Sequence, residues 1–400
     1  MSMRNGRVLV LGDYPVGYAN GIGETLSNLL AHQPDADLFQ AHPAHLHALN
    51  GDARGRAVPF TVPRRPTSWP ARAGQLYQPI LKVQQMTAEQ QLFQKVSALV
   101  AEQRIDAVLT YPVTPWVLFA AVKLRRQFPR VRFVFYVMDD WQGHHTCFGL
   151  PFTPKRRAAL AEMVATADVR FACSHVMKDD YERRYHNGWD VLHKGVDPAT
   201  LPRAPGRWRF SNILYTGAMN MFRFDAVLAF AEGMRRYREQ SGRDLTLTML
   251  GPAPDREYAS ALAPYRFIRT EPWVDNAECQ RRMAEADVLY LPLSFEGKLD
   301  RIANLAMPTK FSEYLASGRP TIFHVPAQSE VHALASGAGL PLTLNTTDPN
   351  FIRDCLMRIG DAGVDMTAYQ RQACALLRQE FDQAVLRDRL QHALFATAAS

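Results

Sequence analysis

Two adjacent carboxylates, Asp139 and Asp140, end the apolar run VRFVFYVM and stand just before Trp141. Acids at the end of a buried strand are placed to abstract a proton or to hold hydroxyl groups. Side chains alternate across a strand, so the two point to different sides and only one serves a ligand; a cap or a loop ion pair is the plainer reading. A cation forms the second candidate. Arg223 closes the stretch TGAMNMFR near a helix start, where a guanidinium suits a diphosphate, and its alternative is an ordinary surface arginine. A third group runs from Phe295 to Glu313. Lys298, Asp300, Arg301, Asn304 and Lys310 form a mixed-charge loop, Thr309 is an expected N-cap, and Gly318 with Pro320 ends the helix that follows. Glu313 lies outside a capping box, whose acid would fall at Ser312. It is either a surface acid favoured by the helix dipole or a ligand carboxylate. In the second role it accepts from both hydroxyls of a vicinal diol, as in ribose.

The fourth group is GYANGIG, residues 17–23. Gly21 and Gly23 let the backbone approach a ligand, and the helix beginning there offers N–H groups to an anion, a flexible turn being the alternative. The glycines are spaced GxxxGxG after an intervening DYPV, a poor match to the dinucleotide fingerprint. His144 and His145 have no third ligand spaced to join them, so no metal site is expected.

The elements that must position these residues alternate between strand and helix, which implies parallel sheets flanked by helices. Strands are expected at 7–13, 36–42, 106–112, 131–138, 169–174 and 190–195, with a long helix from about Thr87 to Gln103. Segment 196–211 is rich in Pro and Arg and lacks periodicity, so it reads as a linker. A second series follows: strands at 212–217, 245–251, 267–272, 288–294, 321–326 and 340–345, and helices at 222–240, 276–286, 349–360, 366–380 and 382–396. The expected fold is α/β, two tandem Rossmann-like domains facing across a cleft. Residues 1–195 form the first and 212–380 the second, and helix 381–400 packs back on the first. In such sheets ligands bind at the carboxyl ends of the strands, where all four groups fall.

Composition is that of a globular chain of 400 residues, 47% hydrophobic and 21% charged. No apolar run reaches the length of a membrane span, and the N-terminus lacks a signal-peptide pattern. The five scattered cysteines show no CxxC spacing, which argues for reduced thiols in the cytoplasm. The net charge of +7 favours anionic partners. Between Arg54 and Lys82 lie six basic residues (with Arg56, Arg64, Arg65 and Arg72) and no acid, interleaved with Phe60, Trp69 and Tyr77. This stretch is either a solvated loop or a surface for anionic lipid headgroups or a phosphate-bearing acceptor. No nucleic-acid-binding motif is present, so nucleic acid is not expected as a partner.

These residues carry a resemblance. PTKFSEYLASGRPTI resembles the nucleotide-binding segment of GT-B glycosyltransferases, in particular the bacterial family-4-like enzymes of surface polysaccharide biosynthesis. HKGVDPATLP resembles the segment joining their two domains, ILYTGAMNMFRFDAVLAF the opening of their donor domain, VFYVMDDW the strand end facing the donor sugar, and GYANGIGETLSNL their first glycine loop. The resemblance implies a nucleotide-sugar donor on the C-terminal domain and an acceptor on the N-terminal one. Glu313 would hold the ribose. Arg223 and Lys310 would hold the diphosphate, helped by the Gly21 and Gly23 amides and by Lys298 and Thr309 beside them. Asp139 or Asp140 would lie at the reacting sugar as base, with Asp13 in reserve. Cations and helix dipoles, not a metal or a cofactor, would stabilise the leaving diphosphate. Two positions depart from the pattern: Leu305 stands where the first acid of Glu-x7-Glu belongs, and Ala218 where an arginine is usual. The implied activity is sugar transfer to a glycan or lipid-linked acceptor at the cytoplasmic membrane face. A non-catalytic nucleotide-sugar-binding subunit and a nucleotide-sugar epimerase of the same fold are the alternatives.

Overall fold

A computed structural model describes residues 6–47, 54–61, 74–143, 152–200 and 208–396. The chain divides into two units, one of Met1–Trp141, Gly149–Lys194 and Gln383–Ser400, the other of Gln142–Phe148 and Gly195–Asp382.

The first unit holds seven parallel strands: β1 (Val8–Gly12), β2 (Leu38–Pro43), β3 (Arg56–Phe60), β4 (Ala107–Tyr111), β5 (Arg132–Val137), β6 (Val169–Ala172) and β7 (Asp190–Val191). Their order is β3-β2-β1-β4-β5-β6-β7. Strands such as VLVLG are apolar without alternation because helices cover both faces of a parallel sheet. The second unit holds six: β8 (Asn212–Thr216), β9 (Thr246–Leu250), β10 (Ile268–Glu271), β11 (Val288–Pro292), β12 (Thr321–His324) and β13 (Thr343–Leu344), in the order β10-β9-β8-β11-β12-β13. In each sheet the order reverses beside the first strand, between β1 and β4 and between β8 and β11. Such switch points open the crevice in which α/β sheets take their ligands. Among the described residues no helix is long and apolar enough to cross a membrane.

Two expectations need correction. Segment 54–82 is not simply a loop: it contains β3 and the start of a helix running from Gly74 to Gln103, thirteen residues earlier than the periodicity suggested. Among the described residues β3 pairs with β2 alone, and an edge strand tolerates Pro59 and its charged neighbours. Arg54 donates to Asp35 (2.9 Å), to the Leu30 carbonyl (2.9 Å) and to the Gln33 carbonyl (2.6 Å), and Arg56 lies over the Phe39 ring. Phe60 is buried. Those three residues serve the fold; Arg64, Arg65, Trp69 and Arg72 lie outside the described residues. The described part of 196–211 is not a bare linker either, since Val196, Trp208 and Phe210 pack against the apolar clusters of the second unit. The helix Gln383–Phe395 belongs to the first unit. Arg387 donates to the Asn28 carbonyl (2.7 Å) and Arg389 to the Val191 carbonyl (2.7 Å), and the Arg132 guanidinium reaches the carbonyls of Ala393 and Ala396.

Candidate functional site

In the second unit the loops after β8 and β11 flank the switch point and are stitched together. Ser294 N donates to the Phe222 carbonyl (2.9 Å), and Phe295 N to the Asp225 carboxylate (2.7 Å). Gly217 takes a φ of +136°, open to glycine far more than to other residues, and its N–H bonds the Leu250 carbonyl (2.9 Å).

The helix Thr309–Ala316 stands beside this loop. Phe311, Tyr314 and Leu315, spaced i, i+3, i+4, are its core face. The Tyr314 hydroxyl accepts from Thr216 N (2.8 Å) and meets Thr216 Oγ1 at 3.0 Å, fastening the helix to the end of β8. Its N-cap is Pro308, with Thr309 the first helical residue, so Thr309 is not the cap expected from sequence. Proline has no polar side chain to cap the first turn, and the Phe311 amide bonds the Pro308 carbonyl instead (2.9 Å). Gly318 has φ +71°, as a residue just past a helix C-terminus should.

Arg223 and Lys310 both exert their charge on Tyr215. Arg223 is the N-cap of the helix Phe224–Ser241, and its guanidinium donates to Asn220 Oδ1 (3.2 Å). Burial raises the pKa of the Tyr215 hydroxyl, and the positive charges of Arg223 and then Lys310 draw it back, so both cations act on one point at the end of β8. That hydroxyl donates to the Ala218 carbonyl (2.8 Å). Lys310 Nζ donates to Glu313 Oε2 (2.8 Å), and Glu313 is only 8% exposed. A carboxylate with so little water around it, beside a lysine, is an acceptor set for hydroxyl donors. Lys298 stands apart: its ammonium pairs with Glu296 (2.6 Å), which raises its pKa. Leu305 is buried, so an apolar side chain occupies the place where the resemblance has an acid.

In the first unit the paired acids lie in the bend just past β5, which ends at Val137, and have different surroundings. Asp140 is 2% exposed and engaged: the Tyr181 hydroxyl donates to Oδ1 (3.2 Å), and Arg184 pairs with the same oxygen (3.2 Å). It joins the strand end to the helix His175–Tyr185, a structural task, and the base candidate narrows to Asp139. Asp139 is half-buried, and its charge is among the causes, after burial and Asp13, that raise the Tyr14 pKa. Asp13 accepts from Val113 N (2.7 Å), Thr114 N (3.0 Å) and the Thr114 hydroxyl. It thus holds the start of the helix Pro115–Gln127, which removes it as a reserve base.

Gly21 opens the helix Gly21–Leu29, but the Gly23 amide donates to the Asn20 side chain (2.7 Å) and is not available to a diphosphate. Gly23 is required for another reason: a Cβ there would collide with the backbone of Tyr18. The clamp formed by Tyr215 and Tyr314 escaped the sequence reading. Its only signal was a tyrosine near the end of β8 and another on the core face of the helix Thr309–Ala316.

No protein-family model matches this chain, and no curated protein matches its sequence. Solved structures do. Anabaena HepE, crystallised with UDP-glucose, is 14% identical with a TM-score of 0.68 over 98% of this chain and 100% of that one. A glycosyltransferase from Rickettsia africae is 11% identical (TM-score 0.67, 99% and 100% covered). An α,α-trehalose-phosphate synthase (UDP-forming) from Burkholderia vietnamiensis is 14% identical (TM-score 0.61, 98% and 100% covered). At these identities the likeness shows the fold: two parallel-sheet α/β domains in tandem, the GT-B architecture.

Proposed function

We propose that the chain is a glycosyltransferase, moving a sugar from a nucleoside-diphosphate sugar to a glycan or lipid-linked acceptor at the cytoplasmic membrane face. The observation that carries the reading is the buried Glu313 carboxylate paired with Lys310 (2.8 Å) on the helix after β11, with Arg223 at the start of the helix after β8, on the two sides of the β8/β11 switch point. Two cations near the start of that helix form a field suited to a diphosphate. Glu313, one turn further on, suits the ribose diol. Structural neighbours of the same fold crystallised with UDP and with UDP-glucose support a nucleotide-sugar donor.

The roles follow from where charge develops. As the glycosidic bond to the diphosphate breaks, negative charge grows on the leaving oxygen. Arg223, Lys310 and the amides of Thr309 and Lys310 are proposed to meet it, a preorganised electrostatic contribution. Asp139, at the carboxyl edge of the first unit's sheet, is proposed to take the acceptor hydroxyl proton if the anomeric centre inverts. The acceptor belongs to the first unit in this reading.

A thermal-shift screen against UDP, GDP, ADP, CMP and dTDP tests the donor site. A ligand at about 100 times its Kd adds about 2.7 kcal/mol of stability by mass action. One nucleotide is expected to raise the melting temperature. Glu313→Ala, losing charge-assisted hydrogen bonds, should weaken that nucleotide by about 10- to 150-fold and largely abolish the shift. No shift with any nucleotide would remove the donor reading.

A further inference from the structure

The second sheet ends at β13, which among the described residues pairs with β12 alone. The last two helices of the second unit flank that edge from opposite faces. Ile352, Leu356 and Ile359 of the helix Pro349–Ala362 share an apolar cluster with Ile213 and Tyr215 of β8. Ala373, Leu376 and Leu377 of the helix Met366–Glu380 share the other cluster with Leu214. Neighbouring residues of a strand point to opposite sides, so the two helices lie on different faces. The turn 363–365 joins them, with Gly363 at φ +71°. Between the edge strand, the turn and the two helices lies a cavity of about 490 Å³. Small-molecule pockets run from about 300 to 1,000 Å³. β13 stands two strands from β11, about 10 Å at the usual strand spacing, so this cavity is separate from the candidate donor site.

Its walls are largely apolar, with Leu344, Phe351, Ile359 and Val364 among them, and Phe351 is 46% exposed. The polar groups are few. Arg358 is the one lining cation. Its guanidinium donates to Cys355 Sγ (2.9 Å), a weak acceptor, and meets no carboxylate among the described residues. Asp365 is the one lining acid, and its carboxylate accepts from Thr367 N (3.0 Å) and Ala368 N (3.0 Å) as the cap of the following helix. The side-chain amides of Asn345 and Gln372 also line the cavity and bond no protein group among the described residues. A guanidinium without a carboxylate suits a planar anion that takes two parallel N–H bonds. The apolar walls suit the rest of such a molecule. A phosphate would set two charges against one cation and lose hydration to those walls.

We propose that this cavity is a binding site for a small apolar carboxylate, its head on Arg358 and its body against Phe351 and Leu344. The proposal stands apart from the donor-site reading, because no residue is shared between the two.

The test is calorimetric titration with octanoate, with 3-phenylpropanoate, and with octanamide as the uncharged counterpart of octanoate. Wild type, R358Q, F351A and E313A are compared. A carboxylate is expected to bind wild type and E313A alike. R358Q should weaken it about 10-fold, the lower end for a charge-assisted hydrogen bond because Arg358 is exposed. Octanamide should bind wild type as weakly as octanoate binds R358Q, and R358Q should not change it, which shows that the variant is folded. F351A should weaken octanoate and octanamide together. Carboxylates that bind R358Q or F351A as they bind wild type sit elsewhere, and the assignment to this cavity falls. Octanoate and octanamide of equal affinity for wild type would overturn the carboxylate class. Loss of octanoate in E313A would place the probe in the donor site and overturn the proposal, as would a wild type that binds neither carboxylate.

Discussion

Asp139→Asn is expected to lower turnover by about 100- to 10,000-fold, the range for removing a positioned acid–base group, with nucleoside diphosphate affinity unchanged. The expectation follows from how the bend after β5 separates two neighbouring acids. Asp140 turns inward to Tyr181 and Arg184, and Arg184 is further held by Asp180 (2.6 Å) and by stacking over the Tyr181 ring. Asp139 stays at the carboxyl edge, close enough to Tyr14 to act on its hydroxyl. The paired experiment therefore separates chemistry from architecture. Asp140→Asn should cost about 2–3 kcal/mol of stability, below the full penalty for orphaning a buried charge because Asp180 keeps Arg184 paired. It should leave turnover per folded molecule near wild type. Urea midpoints, kcat and nucleotide affinity on both variants decide the matter. Full turnover in Asp139→Asn would end its candidacy as base. A loss confined to donor KM would assign it to sugar hydroxyls instead. An inactive but stable Asp140→Asn would reverse the two roles.

That two acids stand just past a strand end was legible from VRFVFYVMDD; which of them turns inward was not. The inward one is fixed by Tyr181 and Arg184, about forty residues downstream on another helix, and no local pattern announces them. The same distinction holds for the fold. Runs such as VLVLG and VLYLP are buried on both faces and can be read directly, whereas β3 was hidden because Arg56 and Pro59 suit only an edge strand. Around the candidate donor site, Lys310 and Glu313 were legible through their place after a strand and at a helix start. Gly23 misled for a physical reason: glycine is needed there to pass the Tyr18 backbone, and a requirement for close packing looks the same in sequence as one for a ligand.

His324 carries the second large effect. It is fully buried at the end of β12. Nε2 meets the Thr346 carbonyl (2.7 Å), so that nitrogen bears the proton, and Nδ1 faces the Tyr290 hydroxyl (2.8 Å) as acceptor. Burial lowers its pKa from 6.5 to about 4, the Thr346 carbonyl opposing only in part. Above pH 6.5 both the folded and unfolded chains hold a neutral ring and the contribution is complete. Below 6.5 the unfolded chain takes the proton and the folded one does not, so stability falls by about 1.4 kcal/mol per pH unit until about pH 4, some 3 kcal/mol in all. In His324→Gln this slope should vanish. Carboxylates also titrate in the window, so the quantity to plot is the difference in unfolding free energy between wild type and variant from pH 7 to 4.5. A flat difference would mean that the ring is protonated in the folded state. The effect reaches the candidate site through Phe295, whose ring lies 5.1 Å from His324 and whose backbone joins the loops after β8 and β11. Protonating His324 strains the same packing that seats this loop. Nucleotide affinity in the wild type should therefore weaken below pH 5, more steeply than in His324→Gln.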